Sequence, residues 1–218
     1  AAQIDAVFDD IPPVAVKIGM VSGVELINVI ADRLTAHDAE NIVLDPVMVA
    51  TSGAKLIEDD AIAALTSKLF PLATVITPNM PETQALCELA VKQGADAIDY
   101  ENGESISSEN DMVTAGHLLA GHFGCAVLVK GGHGTQDASD VLGEPSGKVT
   151  WFRARRIDNP NTHGTGCTLS SAIASHLALG ETLPEAVNSA KLYLTGALEA
   201  QLDLGHGSGP MDHAWKWR

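Results

Sequence analysis

The chain has 218 residues, 45% of them apolar, which is enough for a sizeable core and excludes disorder over most of its length. Its 28 acidic and 13 basic residues leave a formal charge of −15, which argues against nucleic acid and anionic membrane surfaces as partners. No apolar run approaches the ~20 residues of a spanning helix, no secretory leader is indicated, and three scattered cysteines without a CxxC argue against disulfides and for a cytoplasmic setting.

Residues 1–8 (AAQIDAVF) carry an amphipathic helical pattern, and residues 14–18 (VAVKI) read as the first strand. Ser22-Gly-Val-Glu25 has the spacing of a capping box and opens a helix whose apolar stripe is Leu26, Ile27, Ile30 and Leu34. Residues 41–44 (NIVL) are nearly all apolar, as expected of a parallel strand covered on both faces. A helix over 59–70 precedes a strand at 74–77 (TVIT), and Pro81 stands where the next helix begins, ahead of residues 82–89. Residues 92–110 are polar, contain Gly94 and Gly103, and read as a surface loop or insertion. A helix over 110–123 leads into a strand at 126–129 (AVLV). Residues 135–147 then read as a turn-rich excursion, and residues 150–157 as one more strand. Two helices close the chain, one from Thr165 to a stop at Gly180, the other entered by a second box, Thr182-Leu-Pro-Glu185. Repeated strand–helix alternation predicts a parallel α/β sheet wrapped by helices, as a single domain over residues 1–218.

Four segments carry candidate chemistry. In Asn161-Thr-His-Gly-Thr-Gly-Cys-Thr168, Gly164 and Gly166 free the backbone to curl around an anion, and the helix that starts there adds its positive dipole end. Cys167 falls in its first turn, where the same field favours a thiolate. The plainer alternative is a loop that only caps a packed helix. Asp45, directly after an apolar strand, points into the ligand crevice of such a sheet and could hold Mg²⁺; taken alone, the favoured reading is an Asx-turn acceptor before Pro46. Asn79 and Glu82 could organise a hydrated metal and phosphate oxygens, or simply cap a helix. Lys130, at a strand end beside glycines, suits a phosphate, although no GxxxxGK[ST] loop is present. His133 reads as a loop residue, and Gly205-His-Gly-Ser-Gly-Pro210 in isolation as a flexible tail. The four segments share one property: each stands at the end of the sheet where ligands bind.

Taken together, LDPVMVATSGAKL (44–56), TPNMPE (77–82), VKGGH (129–133), NTHGTGCTLSSAIA (161–174) and GHGSGP (205–210) resemble the hydroxymethylpyrimidine/phosphomethylpyrimidine kinases of thiamin biosynthesis, within the ribokinase-like superfamily. The resemblance implies a three-layer α/β/α sandwich with a mostly parallel central sheet. It also implies ATP- and Mg²⁺-dependent phosphorylation of a small pyrimidine, and a homodimer. On it, Gly164, Thr165, Gly166 and Cys167 form the anion hole, with Cys167 as general base. Lys130, Asn79 and Thr162 contact ATP, Asp45 and Glu82 serve the metal, and Met20 and Val47 line the pyrimidine pocket. Ala1 aligns well inside the family's pattern, so its N-terminal glycine-rich segment and strands are expected to be missing. Pyridoxal kinase and a catalytically incompetent remnant stay open as alternatives.

Overall fold

The computed structural model describes residues 1–48, 57–99, 105–132, 137–202, 204–207 and 209–217. Six short strands make one sheet in chain order: β1 (Val16–Ile18), β2 (Ile42–Leu44), β3 (Val75–Ile76), β4 (Ala126–Lys130), β5 (Asp140–Gly143) and β6 (Val149–Phe152). Pairings from β1 to β4 are parallel, and those of β4 with β5 and β5 with β6 are antiparallel. The sheet is therefore mixed, with its parallel part first.

Side chains alternate across each strand, and both faces are buried. Ile42, Leu44, Ile76, Val127, Val129 and Val141 face one layer, made by α2 (Val24–Ala36), α3 (Asp59–Ala64), α4 (Met80–Lys92) and α5 (Glu109–Phe123). Val43, Val75, Ala126, Leu128 and Leu142 face the other layer, made by α6 (Thr165–Ala178) and α7 (Leu183–Glu199). This gives the expected three layers. Fully buried side chains such as Ile27, Leu86 and Ile173 each contribute about 1.5–3 kcal/mol. The first helix, α1 (Ala2–Asp10), packs Phe8 against the core on the α2 side and reaches the end of α2, where Asp5 accepts from the His37 ring at 2.8 Å. Among the described residues no helix is long and apolar enough to cross a membrane.

Several local expectations are corrected. The box at Ser22 does not form: Gly23 is the N-cap of α2, so Glu25 falls at the second helical position and cannot reach back as the third would. The second box does form, between Thr182 and Glu185. The helix over 59–70 is α3 followed by a π-type turn and a 3₁₀ turn that ends at Leu72. The excursion over 135–147 contains β5, and the last strand is only four residues long. Within the polar stretch 92–110, the described residues between α4 and α5 form neither helix nor strand, yet Ile106 is buried and its N–H donates to Gln84 Oε1 at 3.3 Å. The C-terminal glycine segment is not a free tail. The N–H of Gly209 donates to Asn161 Oδ1 at 2.5 Å, Asn161 Nδ2 donates to the Leu202 carbonyl at 2.9 Å, and Met211 and Asp212 are buried.

Candidate active site

The four parallel strands end along one rim, and the ladder runs one step past them. The N–H of Asp45 donates to the Ile18 carbonyl at 2.9 Å, and that of Thr77 to the Leu44 carbonyl at 3.0 Å. Those bonds fix Asp45 and Thr77 side by side. Asp45 is 2% exposed, and its Oδ1 accepts from Thr77 Oγ1 at 3.0 Å and from Lys130 Nζ at 2.9 Å. A carboxylate so buried has exchanged water for these two donors, and losing either partner would cost several kcal/mol.

On the other face of the sheet, α6 delivers its first turn to the same rim. A Cβ at Gly166 would lie 3.3 Å from Lys130 Nζ and 3.6 Å from Asp45 Oδ2, so any side chain there would press on the ammonium and touch the carboxylate. Gly164, the N-cap, has φ +82°, a left-handed conformation that glycine adopts without strain. It offers no side-chain cap. Thr165 N–H turns back to the Thr162 carbonyl at 3.3 Å, and Thr168 N–H makes the first full helical bond, to the Gly164 carbonyl at 2.8 Å. The amides of Gly166 and Cys167 lie in the turn where a helix has no internal acceptors and where its dipole is positive. The Cys167 side chain is exposed, as is Thr162. Curled amides, a helix terminus and an ammonium thus converge on one small region, which can hold and neutralise an oxyanion.

Across the rim, α4 begins with a complete capping box. Asn79 Oδ1 accepts from Glu82 N–H at 2.9 Å, and Glu82 Oε2 accepts from Asn79 N–H at 2.8 Å. Glu82 Oε1 takes the N–H of Met48 at 3.4 Å. Asn79 and Glu82 are therefore already bonded within the protein, while Asn79 is also bridged to Lys130 through the Lys130 N–H and the Pro78 carbonyl at 3.0 Å. Burial pushes the Glu82 carboxyl above its ordinary range; the bond from Asn79 and the charge of Lys130 pull it down, and the nearby Asp45 pushes it up again.

Met20 and Val47 stand on the loops after β1 and β2, which are neighbours in the sheet. Met20 is 61% exposed; Val47 is half-buried, and its N–H donates to the Asp45 carbonyl at 2.8 Å. Residues 49–56 of the LDPV motif, His133 and Gly134 of the glycine run, and Ser208 lie outside the described residues. Among the described residues no group of three or more His, Cys, Asp or Glu side chains could hold a metal by itself. The hard oxygens of Asp45 and Glu82 instead fit a cation such as Mg²⁺, which keeps its waters and takes phosphate oxygens. Thr77 reads in the sequence only as the last residue of a strand; its pairing with Asp45, 32 residues earlier, has no local signal.

The rim gathers a helix terminus, an ammonium and a buried carboxylate, a set suited to charged groups in transit. Fold and site define a phosphotransferase of the α/β/α class. A family model described as phosphomethylpyrimidine kinase matches residues 1–212, and the chain belongs to this family. It is 46% identical over 220 residues to the hydroxymethylpyrimidine/phosphomethylpyrimidine kinase of Rhizobium meliloti, covering all of this chain and 77% of that protein. Among solved structures, the phosphomethylpyrimidine kinase of Clostridium difficile is 39% identical and superposes with a TM-score of 0.69, over 89% of this chain and 73% of the other. An ADP complex of Bacillus subtilis pyridoxal kinase is 30% identical with a TM-score of 0.81, over 99% and 75%.

Proposed function

We propose that the protein transfers the γ-phosphoryl group of ATP to 4-amino-5-hydroxymethyl-2-methylpyrimidine and to its monophosphate in thiamin biosynthesis, acting in the cytoplasm as a homodimer. The observation that carries this reading is the approach of Gly166 to both Lys130 Nζ and Asp45 Oδ2, which puts the α6 terminus and the strand-end charges around one space. The amides of residues 164–167 receive the negative charge that grows on the transferring group, and Lys130 contacts the ATP phosphates. Thr162 and Asn79 flank the nucleotide. Bound Mg²⁺, held through Asp45 and Glu82 by way of water, supplies charge neutralisation on the phosphates. Met20 and Val47 border the pyrimidine.

In the first reaction Cys167 Sγ takes the hydroxymethyl proton as the oxygen bonds to the γ-phosphorus and ADP leaves. In the second the acceptor is already an ionised phosphate, so the base matters less. Cys167→Ala is therefore expected to lower turnover on the free pyrimidine by about 100-fold or more, with a smaller loss on the monophosphate and ADP binding retained. Release of ADP under saturating substrate checks both. Turnover of the variant unchanged from the parent's on the free pyrimidine would remove Cys167 from the mechanism, and no ADP release from the unaltered chain with either acceptor would overturn the function. The TM-score of 0.81 to a pyridoxal kinase favours one second reading, with pyridoxal as acceptor. Assays of both acceptors side by side decide between them.

A further inference from the structure

The turn after Lys130 is held from behind by charged groups that have no part in the roles above. Lys130 and Asp140 are register partners in the antiparallel β4–β5 pair. The chain leaves β4 at Gly131, whose N–H donates to Asp140 Oδ1 at 3.0 Å. The other carboxylate oxygen, Oδ2, takes Lys191 Nζ of α7 at 2.5 Å, and the same ammonium donates to the Ala138 carbonyl at 2.8 Å. Both side chains are nearly out of solvent. The fit is tight: a Cβ on Gly131 would stand 2.1 Å from the Ser139 carbonyl oxygen. Burial pushes the Asp140 carboxyl up, and Lys191 and the Gly131 N–H pull it back down.

A buried ion pair adds little stability over an apolar pair of equal size, so stability alone does not account for it. What an apolar pair cannot do is hold a backbone N–H in one orientation. Here that N–H belongs to the residue following Lys130, whose ammonium must reach past the strand end to Asp45 and Gly166. We propose that Asp140, anchored by Lys191, is a positioning residue: it sets the turn at Gly131 and so aims the Lys130 ammonium at the phosphate-binding rim. This rests on the reading of Lys130 as a phosphate contact.

The test is a cycle of variants of the full chain, read as kcat and KM for ATP with hydroxymethylpyrimidine phosphate. Asp140→Leu with Lys191→Met removes both charges and the acceptor together, leaving no lone buried charge. It is expected to lower kcat/KM by about 10- to 100-fold, as small misplacements of a binding group do. In a Lys130→Met background the same pair should cost less than about twofold, because there is no ammonium left to aim. If the apolar pair does not fold, as judged by thermal melting, Asp140→Glu asks the same question: it keeps the charge and displaces the acceptor by one methylene. A loss of equal size with and without Lys130, or none in either, overturns the proposal. A Lys130→Met variant as active as its parent instead overturns the reading of Lys130 on which the proposal stands.

Discussion

Two helices start at the same rim and meet it in opposite ways. α4 closes its own N-terminus, with Asn79 and Glu82 exchanging bonds so that its first amides are satisfied from within. α6 begins on Gly164 in a left-handed conformation with no side-chain cap. Glycine is a tolerable N-cap, only a few tenths of a kcal/mol poorer than Ser or Asn, so α6 gives up little by staying open. What it gains is a positive terminus with no side-chain cap over it, close to Lys130 and Asp45. The difference separates a helix start that serves the fold from one suited to a visiting anion, although both segments follow strands of the same sheet.

The comparison breaks most sharply at Gly166. Gly166→Val places a branched side chain against Lys130 Nζ and Asp45 Oδ2, and turnover is expected to fall by about 100-fold or more while helical circular dichroism stays unchanged. Turnover within about tenfold of the parent would mean that the α6 terminus is not where the phosphoryl group sits. On the closed helix the expected effect is on stability: Asn79→Ala removes the cap and should cost about 1 kcal/mol in urea unfolding. The smallest effect is on pH dependence, at Glu82. Because burial raises its native pKa above the unfolded value, its contribution to stability is fully present below the ordinary glutamate range and is lost as pH rises through the native value. Glu82→Gln lacks that loss. The melting temperature of the variant should therefore gain on the parent as pH rises out of the ordinary glutamate range, and a difference constant with pH would contradict the burial argument.

Much of this was legible from residues alone, for definable reasons. The run Asn41-Ile-Val-Leu44 marks a strand covered on both faces, and Val43 does turn to one helical layer while Ile42 and Leu44 turn to the other. Asp45, Asn79, Lys130 and the glycine loop could be grouped because each follows a predicted strand, and strand ends in a parallel sheet share an edge. Strand β5 escaped because Asp140-Val-Leu-Gly143 is four residues that begin on a charge, with turn formers on either side. That charge is buried only because Lys191, 51 residues away, comes to meet it. The tail was misread for the same kind of reason: Gly209 is held by Asn161, 48 residues earlier, a pairing that no local pattern records. Ser22 shows the opposite error, a correct local spacing displaced by a helix that starts one residue later.

Strand order in this sheet is identical to chain order, and that governs how the polypeptide can assemble as it leaves the ribosome. Each new strand finds its partner already at the growing border, so no earlier segment has to be threaded or displaced. One cost follows. Among the described residues, the surface bearing Val43, Val75, Ala126 and Leu128 is covered by Leu169, Ile173, Val187 and Ala190, which come after all six strands, so that flank stays sticky until α6 and α7 have emerged.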